Sequence, residues 1–432
     1  MGHLGYALRA MMHEIRRDPL WALTAIVFGP LRAGAYTLKV FFLWALFTLV
    51  LLGAVELVVD IANIRKGFLH GALNIGAMLV GLAFLLRLMA RPLVEHFGQG
   101  YRQEDDSHGS ARFASKPERQ HLTSNPSGLL IGRDPDTGAL LRYAGPAHLL
   151  TMAPTRTGKG VGTIIPNLLT LDRSILCIDP KGENAIITAK ARDRFGPVHV
   201  LDPFGVTGLP SSAFNPIGTL DPEHPDAMED ASSLAEALVQ DAPGETGETH
   251  WNEEAKALLS GLILQIAAQE PYERRNLSTL REYLTLAPEA FAALLGRMQQ
   301  SPEAHGLIAR AANRHLGKAD REAAGVLSTA QRHTHFLDSP RMGAVLSHSD
   351  FAFADLKHRT TTIFLVLPPD RLETYARWLR LMLASSLVAM AREPARPRDP
   401  VLFLLDEFAS LGRLPAIERA MGLMAGYGLQ LW

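Results

Sequence analysis

The sequence predicts an α/β fold: a parallel, doubly wound sheet interrupted by an all-α insert and preceded by two transmembrane helices. Three observations carry this. Short apolar runs alternate with helix-like stretches from about residue 148 to 201 and resume after 360. A helix-rich stretch from about 226 to 347 separates the two sets. Two long apolar runs lie close together near the N-terminus.

The first apolar run, Val40 to Val59, holds 20 residues with one charge, Glu56. That length crosses a hydrocarbon core of about 30 Å. The second, Phe68 to Ala90, carries His70 and Asn74 near one end and Arg87 near the other. Its small residues Gly71, Gly76 and Gly81 would let it pack closely against the first helix. A buried hairpin of a soluble protein is the bland alternative, and the late start and length of the first run argue against a cleaved signal peptide. Arg9, Arg16, Arg17, Arg32 and Lys39 precede the spans, Arg65 and Lys66 lie between them, and Arg91, Arg102 and Arg112 follow. The positive-inside tendency puts both ends in the cytoplasm, with membrane lipid around the spans.

Composition narrows the rest. Lys plus Arg number 43 against 44 Asp plus Glu, so any nucleic-acid contact needs a local patch or an assembled oligomer. The single cysteine, Cys177, excludes an internal disulfide framework and a Cys-ligated zinc site. No HExxH occurs among the 16 histidines.

The expected division is an N-terminal segment 1–39, a two-helix anchor 40–90 and a polar, loop-rich connector 91–144. A nucleotide-binding domain follows in two parts, 145–225 and 351–432, around the all-α insert 226–350. Within the first part, His148 to Met152 reads as a strand and leads into a loop and a helical stretch through Leu169. SILCIDPKGEN reads as a buried strand ending in a turn, Ala185 to Phe195 as a helix, and His199 to Leu201 as the next strand. In the second part, the strands TTIFLVLP and VLFLLDE flank a helix from Leu372 to Ala391. The last residues, GYGLQLW, read as the start of a further strand, so the chain is expected to be truncated or a fragment.

The chemistry centres on Ala153 to Gly160, A-P-T-R-T-G-K-G. Against the phosphate-loop pattern G-x-x-x-x-G-K-[ST], Gly158 and Lys159 match, while Ala153 and Gly160 replace the first glycine and the hydroxyl. A loop that follows a strand and opens a helix points backbone N–H groups at an anion and adds the helix-terminus field. Pro154, Thr155, Arg156, Thr157, Gly158, Lys159, Gly160 and Val161 are therefore the candidate nucleotide-binding residues, with Lys159 reaching the β- and γ-phosphates. The competing explanation is a tight strand–helix turn with a solvated lysine.

The run LFLLDEF lowers that alternative, because it ends a buried strand on Asp406 and Glu407. At such sites an aspartate helps hold Mg2+, and the next carboxylate orients or deprotonates the attacking water. With no hydroxyl at Gly160, Mg2+ must use water, Thr163, or Asp406 more heavily. Asp179 and Asp202 also end apolar runs but precede proline; Asp179 and Lys181 are taken as lining the site.

These motifs, in the order HGSARFAS, GLLIGRD, APTRTGKGVGTIIPNLL, ILCIDPKGEN, LDPFG, FNPIG, WNEEAKALL, IFLVLPPD and LLDEFASLG, resemble the TraG family of type IV secretion coupling proteins from about residue 108 onward. The resemblance implies a RecA-like P-loop NTPase core with an inserted all-α domain, ATP and Mg2+ as ligands, and a hexameric ring at the bacterial inner membrane. It implies as partners the secretion channel, and a relaxase with single-stranded DNA or effector proteins as cargo. Glycine at the position of Gly160 also occurs in that family's phosphate loop, and the two spans fit its membrane anchor. A further strand and a glutamine motif follow GYG-x-x-L-W in that family. Two other functions stay open, an FtsK-type DNA translocase and a nucleotide-binding cargo receptor with little hydrolysis. A cassette exporter is disfavoured, because no LSGGQ lies between Lys159 and Asp406. Arg359 and Arg419 are the candidates for an arginine reaching a neighbour's nucleotide.

Overall fold

The computed structural model describes residues 11–12, 15, 34–62, 67–97, 113–123, 128–154, 156–239, 249–408, 417–418, 421–422 and 424–432. Thr155, Arg419 and the charged positions Arg9, Arg16, Arg17, Arg32, Arg65, Lys66, Arg102 and Arg112 lie outside the described residues. The chain divides into two compact units, Met1–Ala114 and Ser115–Trp432.

In the first unit, helix α1 (Gly34–Ile61) and helix α2 (Phe68–Phe97) form a hairpin. Within them, Leu38–Ile61 and Phe68–Met89 are long and apolar enough to cross a membrane, and most of their side chains face outward. The two helices meet at Gly81, where an added Cβ would fall 2.6 Å from Thr48 Oγ1. Phe47 and Phe84 pack nearby, tilted by 30° with ring centroids 4.4 Å apart. Gly71 and Gly76 have open space around them, so of the three glycines expected at this contact only Gly81 is there. Toward the turn, Glu56 Oε1 meets His70 Nε2 at 2.7 Å.

The second unit opens with helix α3 (Lys116–Thr123) and a hairpin of strands β1 (Leu129–Arg133) and β2 (Leu140–Tyr143). The stretch read as a loop-rich connector therefore holds an antiparallel pair, whose polar residues conceal the alternation that marks a half-buried strand. The main sheet comprises β3 (Ile175–Asp179), β4 (Val198–Leu201), β5 (Thr362–Val366), β6 (Val401–Leu405) and β7 (Leu429–Leu431). All four pairings are parallel, in the order β4-β5-β3-β6-β7.

Continuous apolar runs such as ILCID and TIFLV suit this position, because a parallel sheet is covered on both faces. Ile175, Cys177, Phe364, Val366, Leu402 and Leu404 turn to one face. They pack under α4 (Ile165–Thr170), which continues a π-helical turn, Gly160–Ile164, and under α5 (Glu183–Arg192). Leu176, Ile178, Ile363, Leu365, Val401 and Phe403 turn to the other face. There they join a core shared with α14 (Leu372–Arg392) and with the helical insert.

That insert lies between β4 and β5 and contains α6 (Ala227–Leu238), α7 (Thr249–Gln269), α8 (Leu277–Leu284), α9 (Pro288–Gln299), α10 (Leu307–Leu316), α11 (Asp320–Thr334), α12 (Pro340–Val345) and α13 (Asp355–His358). In α7, Leu258, Leu259, Leu262, Ile263, Leu264 and Ile266 are all within 3% of full burial, so this helix is the centre of the module.

One expected strand is absent as such. His148 to Met152 does not form a regular strand, although Leu149 N donates to Leu431 O at 2.9 Å and His148 Nδ1 accepts from Leu431 N at 3.0 Å. A single ladder bond does not make a strand. The segment still runs along the free side of β7, so β7 lies between it and the carboxylate-bearing β6.

Candidate functional site

The extended segment beside β7 delivers the phosphate loop to the C-terminal edge of the sheet, where open α/β sheets bind ligands. Gly158 sits at φ 86° and Arg156 at φ 68°, so the loop turns through left-handed backbone twice before the helix starts. Glycine takes that conformation without strain and arginine does not, so the loop stores strain at Arg156. Thr157 Oγ1 donates to Pro154 O at 2.8 Å and tightens the turn. Lys159 is already helical, at φ −47° and ψ −51°, and Gly162 N donates to Gly158 O at 2.7 Å. The loop thus opens directly into the Gly160–Thr170 helical segment.

Asn167, fully buried, fixes that segment. Its Oδ1 accepts from Leu130 N at 2.9 Å, and its Nδ2 donates to Leu130 O and Thr163 O at 2.8 Å each. One side chain therefore satisfies both backbone groups of a β1 residue and holds the phosphate-loop helix on the hairpin.

The two motifs meet in space. Lys159 Nζ lies 2.6 Å from Asp406 Oδ1 and 3.8 Å from Glu407 Oε1. The hydrogen bond to Asp406 raises the Lys159 pKa above its usual value, against a smaller lowering by burial, so the ammonium stays charged. Glu407 stands at φ 52°, another left-handed non-glycine position, and is exposed; its N–H donates to Asp406 Oδ1 at 2.9 Å. Strain at a strand end that presents two carboxylates is a common mark of a working site.

Beside this pair lies a cavity of ≈ 440 Å3, lined by Lys159, Thr163, Asp406 and Glu407 and walled by Met152, Leu405 and Trp432. Thr163 Oγ1 donates to Lys159 O at 2.8 Å, so its hydroxyl proton is engaged while its oxygen can still accept or ligate. A Cβ at Gly160 would meet nothing within 4 Å, so no packing constraint accounts for the glycine. Val161 is 73% exposed. Among the described residues no group of three or more His, Cys, Asp or Glu could hold a metal ion. One carboxylate with a neighbouring hydroxyl instead suits Mg2+, which keeps several waters and shares its coordination with substrate phosphates.

Asp179 and Lys181 do not line the cavity. Asp179 ends β3 next to β6, where Ile178 pairs with Leu405, but its carboxylate turns inward to accept from Ala185 N at 2.8 Å at the start of α5. Burial pushes it up to about 6, with the N–H bonds opposing and the charge of Asp406 adding. Asp202 closes a turn, accepting from Thr207 N at 2.7 Å and Thr207 Oγ1 at 2.8 Å. Arg359 precedes β5, at the N-terminal edge opposite the phosphate loop, and pairs with Asp355 at 3.2 Å.

Sequence reasoning placed His148 at the start of a strand and Trp432 at the end of GYGLQLW, but assigned neither to the site that both line. Trp432 Nε1 donates to Thr151 Oγ1 at 2.9 Å, fastening β7 to the segment before the loop. The aromatic residue ending GYGLQLW was a visible signal, but its partner could be found only from the sheet order.

Comparison with known proteins gives one consistent picture. The family model described as "Type IV secretory system Conjugative DNA transfer" matches residues 112–432. A conjugal transfer protein TraG of Escherichia coli is 30% identical over 363 residues, covering 75% of this chain and 56% of the relative. Protein VirD4 of Agrobacterium fabrum is 29% identical over 380 residues, covering 80% and 52%. The chain spans about half the length of these curated relatives. Among solved structures, the bacterial conjugative coupling protein TrwBdeltaN70 aligns with TM-score 0.57 at 17% identity, covering 74% of this chain and 68% of that one. Plasmid coupling protein TrwB in complex with ADP and Mg2+ aligns with TM-score 0.57 at 16% identity, covering 74% and 70%. At these identities the likeness to TrwB establishes the fold: a RecA-like P-loop core with a helical insert.

Proposed function

We propose that this chain, which belongs to the type IV secretory system conjugative DNA transfer family, binds and hydrolyses Mg2+-ATP at Lys159, Asp406 and Glu407 and couples that turnover to cargo transfer. The observation that carries this reading is the 2.6 Å contact of Lys159 with Asp406, which joins the phosphate loop and the carboxylate strand in one site. TrwB, with which the chain shares its fold, binds ADP and Mg2+.

In this reading the N–H groups from Gly158 to Val161 cradle the phosphates, and Lys159 moves from Asp406 onto the β- and γ-oxygens. Asp406, with Thr163 as a neighbouring hydroxyl, would hold Mg2+, whose charge would offset the negative charge on the transferring phosphoryl group. Glu407 takes a proton from the attacking water as its oxygen bonds to the γ-phosphorus. The bond from that phosphorus to the bridging oxygen breaks, and ADP leaves with the electron pair. The cargo is a relaxase with single-stranded DNA, or an effector protein, passed to a secretion channel. The protein acts as a hexamer at the bacterial inner membrane, anchored by α1 and α2 with both ends in the cytoplasm.

The test is DNA-stimulated ATP hydrolysis by the full chain alongside Lys159→Ala and Glu407→Gln. Lys159→Ala is expected to lose nucleotide binding. Glu407→Gln is expected to keep it and lose turnover by about 100-fold or more, the usual range for a positioned base. Parent-like hydrolysis by both variants would overturn the proposal.

A further inference from the structure

A second polar cavity, of ≈ 490 Å3, opens at the N-terminal edge of the sheet, opposite the phosphate loop. It lies between the open end of the β1–β2 hairpin, at Gly128 and Tyr143, and the residues that enter β3 and β6. Three arginines line it, Arg142, Arg173 and Arg398, against two aspartates, Asp172 and Asp399.

The aspartates are engaged by one of the three. Arg398 Nε lies 3.0 Å from Asp399 Oδ2, and Arg398 Nη2 lies 3.6 Å from Asp172 Oδ2. Arg142 makes one bond, from Nη1 to Gly128 O at 3.0 Å, and has no carboxylate partner among the described residues. Arg173 donates from Nη2 to Gln430 Oε1 at 2.9 Å, while its Nε is buried with no hydrogen-bond partner. Burial lowers the Arg173 pKa to about 10, partly offset by the charge of Asp399, so this guanidinium has given up hydration without forming an ion pair.

Gln430, 1% exposed, holds the arrangement rigid. Its Nε2 donates to Gly145 O at 3.1 Å and Ala147 O at 2.8 Å, and its Oε1 faces Arg173.

A cavity with two guanidinium groups that form no ion pair among the described residues, one of them largely desolvated, has the donor set of an oxyanion site. We propose that this cavity binds a phosphate-class oxyanion, held by Arg142 and Arg173. Its volume admits a phosphorylated group larger than the bare ion. The anion can come from free phosphate or from the headgroup of an anionic lipid. The proposal is independent of nucleotide hydrolysis, because the cavity lies at the opposite sheet edge and shares no lining residue with the phosphate-loop cavity.

The experiment uses the full chain carrying Lys159→Ala, which disables the phosphate loop, in phosphatidylcholine nanodiscs. Inorganic phosphate is titrated and followed by 31P line broadening. Saturable binding is expected to survive Lys159→Ala. Adding Arg142→Gln or Arg173→Gln is expected to weaken it roughly ten-fold, the scale of one charge-assisted hydrogen bond. Arg142 is only half-buried, so its variant remains informative if Arg173→Gln fails to fold. No saturable binding in the Lys159→Ala chain, or unchanged affinity after Arg142→Gln, would overturn the proposal. Discs containing phosphatidylglycerol then identify the source. Weakened binding of added phosphate assigns the site to a lipid headgroup, and unchanged binding assigns it to the soluble ion.

Discussion

Asp179 shows how a residue beside the site differs from one in it. Its carboxyl is held at about 6 against an ordinary 3.8, with burial as the largest cause. The folded state therefore binds that proton more tightly than the unfolded chain. Stability should fall as pH rises from 3.8 to about 6 and then level off, with a contribution of about 2–3 kcal/mol across the window. Asparagine can still accept from Ala185 N but cannot ionise, so Asp179→Asn should remove that slope. The check is the difference in denaturant midpoint between parent and variant as a function of pH; parallel curves would show that the carboxyl does not titrate there. Two separate motifs in the sequence single out Lys159 and the Asp406–Glu407 pair, and the structure sets them within reach of one another. The inward turn of Asp179 was not, because a carboxylate after an apolar run reads the same whether it faces a ligand or a helix N–H.

At the scale of elements, the helix that carries the loop is held by a polar bond set within an apolar layer. Replacing Asn167 by Leu leaves Leu130 N–H and C=O buried without partners. It should cost about 1–3 kcal/mol, read from denaturant unfolding. A loss under about 0.5 kcal/mol, the range of a surface substitution, would mean that the hairpin does not clamp the loop helix. In the apolar α1–α2 hairpin, Gly81→Ile should overpack against Thr48 and cost about 1–3 kcal/mol, whereas Gly76→Ile meets open space. Cysteines replacing Phe47 and Phe84 report this contact. Cross-linking should slow with Gly81→Ile and not with Gly76→Ile, and equal rates would remove Gly81 from the contact. The glycines themselves were visible in the sequence. Which one faces the partner helix depends on rotation about two helix axes, which a pattern of small residues does not fix.

For the whole molecule, residues 1–95 are expected to supply all membrane attachment. Deleting them should move the chain to the soluble fraction, and continued retention would place an anchor elsewhere. The sequence by itself determined the α/β class, the buried strands, the helical insert, both apolar spans and the chemical identity of Lys159, Asp406 and Glu407. Each of these is set by local periodicity or by residue type at short spacing. Only the tertiary structure decided the sheet order, the placement of β7 between the loop segment and β6, and the inward turn of Asp179. It alone gathered Arg142, Arg173 and Arg398 around one cavity. Those outcomes join residues far apart in the chain, and contacts between distant strands and loops leave no periodic trace in the sequence that brings them together.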